Sequence, residues 1–125
     1  PLRRQRQMCI RDRMKYLQKL RQNIQIGILT NIDAGRSRLL EKILDIDTNL
    51  DYYFPSYVFG FSKDTAQLWD LVNRELATVN GSVNVIYVDD RAEHVLSAAR
   101  IGWKGIRYYN LEQLKKQLDL LLEKL

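Results

Sequence analysis

The sequence has few of the residues that cross-link small domains, and it has no long apolar stretch. A single cysteine, Cys9, excludes an intramolecular disulfide framework and a zinc site of the CxxC type. The longest apolar runs, at 24–29 and 83–88, are far shorter than the roughly 18 residues that a transmembrane helix needs. The N-terminal segment also lacks the apolar core of a secretory signal. These absences predict a cytoplasmic protein without a membrane partner.

Internal repeats, low-complexity segments and Gly/Pro/Ser-rich linkers are likewise absent, so nothing in the sequence marks a second domain. The chain of 125 residues has room for one domain and one modest core. Hydrophobic residues make up 46% and charged residues 28%, a balance that excludes a wholly disordered chain.

The net charge of +5 is concentrated at one end of the chain. Residues 1–13 contain five arginines and one aspartate, whereas the other 112 residues hold 15 basic and 14 acidic side chains. The run QMCIRDR within this segment resembles translated sequencing-adaptor sequence, and the segment begins with proline rather than methionine. We interpret residues 1–13 as extraneous or disordered, the alternative being a basic arm for nucleic acid. The nearly neutral remainder predicts no nucleic-acid partner.

Apolar spacing predicts alternating strands and helices along the rest of the chain. The predicted strands are 24–29, 57–59, 83–88 and 105–108, and the predicted helices are 11–22, 35–45, 64–79, 91–101 and 111–125. The run at 83–88 is apolar at nearly every position, which is typical of a sheet covered on both faces. This alternation predicts an α/β fold with a mostly parallel sheet.

Two of the predicted strands end in polar residues that can perform chemistry. Thr30 and Asn31 follow the first strand, Asp89 and Asp90 follow the third, and Lys63 precedes the helix between them. Ligands of open α/β sheets bind at the carboxyl ends of the strands. A hydroxyl and an ammonium group there suit a phosphate, and paired carboxylates suit Mg²⁺.

The order of these residues resembles the haloacid dehalogenase (HAD) superfamily of phosphohydrolases. The similar stretches are IGILTN at 26–31 (second motif), GFSKD at 60–64 (third motif) and VIYVDDRAEHVLSAARIGWKGIRY at 85–108 (fourth motif and the following strand). The resemblance covers about residues 14–110. It implies a Rossmann-like parallel-sheet core and a Mg²⁺-dependent hydrolase, a phosphatase that forms an aspartyl-phosphate.

The resemblance also implies roles for individual residues. Thr30 and Asn31 would bind the phosphoryl group, and Lys63 would be a phosphate-binding and catalytic residue that neutralises the nucleophile and the phosphate. Asp89 and Asp90 would be the metal ligands for Mg²⁺. Asp64 stands where the family usually has proline, a departure that concerns the shape of this loop.

The nucleophile motif of the family, DxDx[T/V], does not occur upstream of Thr30. The near-match at 45–48, DIDT, follows a predicted helix and is interpreted as a solvated loop. We therefore expect a C-terminal fragment of a HAD-like core, incomplete because the nucleophile strand and the cap are missing. Residues 14–23 would be a cap or linker helix and residues 24–125 the partial core. This chain alone would be inactive, while its parent would hydrolyse a small phosphorylated metabolite.

Two other functions can be compared with this sequence. A receiver domain places its acidic pair first and its lysine last, which is the reverse of the order seen here. A non-enzymatic binding module would use the basic arm for nucleic acid or the leucine-rich tail for a partner helix. Among the other residues, His94 is interpreted as a surface or edge histidine, Trp69 and Trp103 as packing residues, and the aromatic run at 52–55 as a packed loop.

Overall fold

The computed structural model describes residues 2–81 and 84–124 and divides the chain into two compact units. Unit 1 is Pro1–Val58 and unit 2 is Phe59–Leu125. The side chains of residues 2–11 lie outside the described part. Most of the arginines of the basic arm, the alternative interpretation of residues 1–13, are therefore not described. Within the described ranges, no helix combines the length and apolar character required to cross a membrane.

Both units combine helices with short parallel strands, which confirms the α/β class. Unit 1 contains α1 (Leu2–Arg21), β1 (Gly27–Thr30), α2 (Ala34–Leu44), α3 (Ile46–Asn49) and β2 (Tyr52–Pro55), and α4 (Ser56–Phe59) follows at its end. Unit 2 contains α5 (Ala66–Asn80), β3 (Ile86–Asp89), α6 (Ala92–Arg100), β4 (Lys104–Arg107) and α7 (Leu111–Glu123). Val83 and Leu125, which belong to predicted elements, lie outside the described residues.

The sheet of unit 1 pairs β1 with β2 in parallel, with Thr30 opposite Pro55. The packed loop predicted at 52–55 was wrong, because these residues form β2. A proline is tolerated there because β2 pairs only with β1 and is an edge strand of the described sheet. The strand predicted at 57–59 was also wrong, since α4 covers these residues. Gly60 follows the helix, and its φ of +77° favours glycine.

Asp51 connects the end of α1 to the start of β2. Its carboxylate accepts hydrogen bonds from the Ile26 N–H at 2.8 Å and from the Arg21 guanidinium at 3.3 and 3.2 Å. The Ile26 N–H, with the Arg21 guanidinium, lowers the pKa of Asp51. The helix predicted at 11–22 is therefore attached to unit 1 through its C-terminal turn. The stretch DIDT at 45–48 was interpreted as a solvated loop. Its last three residues instead begin α3, which follows Asp45, a residue with a left-handed backbone (φ 47°).

The sheet of unit 2 pairs β3 with β4 in parallel, with Asp89 opposite Arg107, and α6 lies between them in the chain. Its core is apolar and includes both tryptophans of the sequence; the buried hydrophobic residues are Leu68, Trp69, Val72, Leu76, Tyr87, Ala98, Trp103, Ile106, Leu114 and Leu118. Helix α7 begins with a capping box in which Asn110 and Gln113 satisfy each other's backbone N–H groups. Leu114 and Leu118 are the buried residues of this helix, and they contribute to the core of unit 2.

Gly105 allows α6 to pack closely on β4. A Cβ atom at this position would lie 2.5 Å from Val95 Cγ1 and 3.1 Å from the Val95 carbonyl oxygen. We expect Gly105→Ala to lower the free energy of unfolding of unit 2 by about 1–3 kcal/mol, because backbone and side chain must both shift. Urea unfolding followed by tryptophan fluorescence measures this, since both tryptophans lie in unit 2.

Gly35→Ala is the matched control for this substitution. The nearest atom to a Cβ at Gly35 is Asp33 Oδ1 at 3.4 Å, an ordinary contact, and the position lies in α2. Alanine favours a helix over glycine, so thermal unfolding of the control followed by circular dichroism should be unchanged or slightly raised in midpoint. A Gly105→Ala variant as stable as wild type would contradict the close approach of α6 and β4.

Candidate functional site

The candidate site in unit 2 is built around the last residue of β3. Asp89 ends the strand, and Lys63 lies in the turn before α5. The Lys63 Nζ atom donates to Asp89 Oδ2 at 3.0 Å, and the two side chains are 13% and 9% exposed. Removing one partner of such a partly buried pair would leave a poorly solvated charge, which is not the case for an exposed ion pair. Lys63 and Asp89, separated by 26 residues in the sequence, are thus brought together as the motif order predicts.

Asp89 is held ionised by several donors. Burial of the carboxyl group raises its pKa, but hydrogen bonds from the Tyr87 hydroxyl, the Arg91 backbone N–H and Lys63 lower it more, so the net pKa lies well below the usual range. The Arg91 N–H donates to Oδ1 at 3.0 Å, and the other donors converge on Oδ2. A permanently negative group therefore stands at the end of β3.

Tyr87 belongs to this site because residues two apart in a strand point to the same face. Its hydroxyl donates a short hydrogen bond to Asp89 Oδ2, and its ring centroid lies 5.6 Å from Lys63 Nζ. Burial, together with the neighbouring Asp89, raises the pKa of Tyr87 above its usual range. Tyr87 is therefore a neutral hydrogen-bond donor across the physiological pH range. Its hydroxyl helps to hold the Asp89 carboxylate in one orientation.

His94 also contacts Asp89, and its interpretation as a surface or edge histidine was wrong. The residue is 4% exposed. Its Nδ1 atom lies 3.2 Å from Asp89 Oδ2, and its Nε2 atom lies 3.3 Å from Asp64 Oδ1. The signal in the sequence was the spacing: His94 follows Asp89 by five residues, and the first turn of α6 returns the chain to the end of β3.

Trp69 supports the backbone that carries Lys63. Its indole N–H donates to the Lys63 carbonyl oxygen at 2.9 Å, and the side chain is 1% exposed. Its ring meets the Tyr87 ring edge-on, with centroids 4.9 Å apart. The predicted packing role is confirmed, and the hydrogen bond links that packing directly to the site.

Asp90 is exposed, in contrast to Asp89, and follows it directly at the end of β3. Its backbone carbonyl oxygen accepts a hydrogen bond from Arg107 Nε at 3.3 Å. Within residues 2–81 and 84–124, no group of three or more His, Cys, Asp or Glu side chains is arranged to hold a metal ion. Two adjacent carboxylates remain a donor set of the kind that Mg²⁺ uses together with water and substrate oxygens.

Thr30 and Asn31 belong to unit 1. Thr30 is the last residue of β1, and Asn31 begins the loop that leads to α2. The Ile32 N–H in that loop donates to Ser56 Oγ at 3.0 Å, so the loop is tied to the start of α4. Lys63, Asp89 and Asp90 belong to unit 2. A single site that combines them with Thr30 and Asn31 stays a prediction.

Comparisons with known proteins find little that resembles this chain. No protein-family model matches it, and no solved structure matches it significantly. A curated protein, the drimenol cyclase drtB of Aspergillus calidoustus, is 26% identical to it over 107 residues, which cover 82% of this chain and 20% of the cyclase. The chain thus spans about a fifth of the length of that relative.

The arrangement in unit 2 can hold a cation and an anion close together in partial burial. Lys63 offers a compact positive charge, and Asp89 offsets it when no ligand is present. An ammonium group can donate to a phosphate oxygen as well as to a carboxylate, so Lys63 is the type of donor that phosphate recognition requires. The chemistry of the site is therefore charge neutralisation and positioning.

Proposed function

We propose that this chain is the part of a HAD-like, Mg²⁺-dependent phosphohydrolase that carries the second, third and fourth motifs. Its parent would hydrolyse the phosphate ester of a small metabolite through an aspartyl-phosphate, with the nucleophile on a strand outside this sequence. Lys63 would neutralise charge on the nucleophile and the phosphate, while Thr30 and Asn31 would bind phosphate oxygens. The chain alone would be inactive on phosphate esters.

The single observation that carries the proposal is the ion pair between Lys63 and Asp89. These residues come from two stretches of sequence that resemble consecutive motifs of one family, and their charged atoms lie 3.0 Å apart at the carboxyl end of a parallel strand. Catalytic groups of open parallel sheets occupy that end. This proximity, in a partly buried setting, supports a shared role for the two residues at that end of the strand.

The donor set at the end of β3 fits Mg²⁺ in part. Asp90 is the exposed carboxylate and would supply the principal ligand. Asp89 would contribute through Oδ1, because Oδ2 already interacts with Lys63, Tyr87 and His94. When bound, the ion would supply charge compensation for phosphate oxygens. The other groups of the site keep their roles without it: Lys63 holds positive charge, and Tyr87 keeps Asp89 oriented.

The similarity to the drimenol cyclase supports a second candidate. A match that covers most of this chain but only a fifth of the cyclase is expected if the chain corresponds to one segment of a much larger protein. In that case the site would serve a cyclase rather than a free-standing phosphatase. The discriminating sequence lies upstream of residue 14: an in-frame strand ending in DxDx[T/V] supports the phosphohydrolase.

The catalytic test uses p-nitrophenyl phosphate with and without Mg²⁺. The purified chain is expected to show no turnover, and the same chain joined in frame to its upstream sequence is expected to hydrolyse the ester. In the joined protein, Lys63→Ala and Asp89→Ala should each lower kcat/KM by about 100-fold or more, because each removes a charge from the reacting centre. Mg²⁺-dependent hydrolysis by the chain alone, abolished by Asp89→Ala, would overturn the fragment proposal.

A further inference from the structure

The residue after Lys63 takes part in the same network by a different route. Asp64 Oδ1 lies 3.3 Å from His94 Nε2, and His94 Nδ1 lies 3.2 Å from Asp89 Oδ2. Lys63 meets that same oxygen directly at 3.0 Å. The four side chains therefore form a closed loop in which the turn that carries Lys63 is attached to β3 twice, once by Lys63 itself and once through Asp64 and His94.

The two attachments differ in the solvent exposure of their side chains. Lys63, Asp89 and His94 are 13%, 9% and 5% exposed in their side chains, whereas Asp64 is 67% exposed. An exposed carboxylate contributes little to folding free energy by itself. Its contact with a buried imidazole, however, links the turn to α6. The Asp64 N–H also donates to Ser62 Oγ at 3.2 Å, so the turn has a hydrogen bond of its own.

We propose that Asp64 and His94 are positioning residues, which hold the turn of residues 62–65 against the end of β3 so that the Lys63 ammonium stays on Asp89. His94 can transmit the contact because the imidazolium form of histidine has an N–H on each ring nitrogen and can donate one to each carboxylate. The inference rests on the proposed function only in that this lysine is the phosphate-facing group. The placement itself is a property of unit 2.

The test measures the reactivity of the Lys63 amine in the full chain. A brief pulse of acetic anhydride labels lysines according to their accessibility, and mass spectrometry of peptides quantifies each site. Lys104, exposed on β4 in the same unit, is the internal reference. We expect Asp64→Ala to raise the labelling of Lys63 relative to Lys104 about five-fold, the ratio that corresponds to a lost hydrogen bond of about 1 kcal/mol.

Three variants make this result specific. Asp64→Asn keeps an oxygen that accepts from Nε2 and should restore most of the protection. Asp70→Ala removes another exposed carboxylate of unit 2, on α5, and should change nothing. In a His94→Gln background, Asp64→Ala should add little, because the path through the imidazole is already broken.

Three results would contradict the proposal. Unchanged Lys63 labelling in Asp64→Ala overturns it. Equal increases at Lys63 and Lys104 also overturn it, since they indicate general loosening, which tryptophan fluorescence in urea would report independently. A full additional effect of Asp64→Ala in the His94→Gln background excludes transmission through His94. Because the readout is lysine reactivity, it is independent of whether the parent protein hydrolyses phosphate esters.

Discussion

Asp89→Ala is expected to lower the free energy of unfolding of unit 2 by about 3 kcal/mol, the lower end of the range for removing one partner of a buried ion pair. The substitution leaves the Lys63 ammonium, 13% exposed, without its carboxylate. It also removes the acceptor shared by the Tyr87 hydroxyl and His94 Nδ1. Unmet buried donors add to the loss of the charge pair.

Urea unfolding followed by tryptophan fluorescence measures this change, because Trp69 and Trp103 are the tryptophans of the sequence and both lie in unit 2. Asp89→Asn should cost less, about 2 kcal/mol, since its single amide oxygen can still accept either from the Tyr87 hydroxyl or from the Arg91 N–H, while the charge is lost.

Asp90→Ala is the matched control, one residue away and exposed, and should change the free energy of unfolding by no more than about 0.5 kcal/mol. Equal effects at the two aspartates would contradict the different environments described for them. A loss below about 1 kcal/mol for Asp89→Ala would indicate that Lys63 reaches water as soon as its partner is removed.

Trp69→Ala is expected to have the largest effect of all, a loss of about 3–5 kcal/mol in unit 2, which is typical of removing a buried aromatic side chain. The side chain is 1% exposed, and its ring meets those of Tyr87 and Trp103 edge-on, with centroid distances of 4.9 and 6.0 Å. Unfolding is followed here by the remaining tryptophan, Trp103.

Trp69→Phe separates packing from the hydrogen bond to the Lys63 carbonyl oxygen. It keeps an aromatic ring in the core and loses the indole N–H, so we expect a smaller loss of about 1–2 kcal/mol. Val79→Ala on the same helix is the control, because that side chain is 64% exposed and its loss opens no cavity. A Trp69→Ala variant within 1 kcal/mol of wild type would show that unit 2 has no cooperative core around this ring.

Periodicity was sufficient for the long helices and for the strand at the centre of unit 2. The spacing predicts a buried stripe of residues 69, 72, 76 and 79 in α5. The first three are buried, whereas Val79 is 64% exposed. The apolar run near residue 86 becomes β3. Periodicity failed at 52–59, where two four-residue elements follow each other directly. Strand β2 contains an aromatic run that ends in proline, and α4 follows without a break, so neither offers a full period to recognise.

The candidate site divides in the same way. Lys63 and Asp89 could be predicted to meet because Lys63 stands before a predicted helix and Asp89 at the end of a predicted strand. Their separation in the sequence is that of two consecutive motifs of the family that the chain resembles. His94 could not be placed, since a histidine in a helix turns toward solvent or core according to what packs beside that helix. Its two carboxylate partners come from different stretches of chain, 5 and 30 residues away.

The sequence by itself determined the α/β class, the near neutrality of the chain after residue 13, and the lysine and aspartate that form the buried pair. These properties depend on local pattern: apolar runs set the elements, and strand ends carry the polar residues. The tertiary structure alone decided that Asp89 is partly buried while Asp90 is exposed, that Tyr87 and His94 contact the Asp89 carboxylate, and that Asp64 joins this network. Burial and hydrogen-bond partners depend on which elements pack together, and such long-range neighbours are not encoded in the spacing of residues along one stretch of chain.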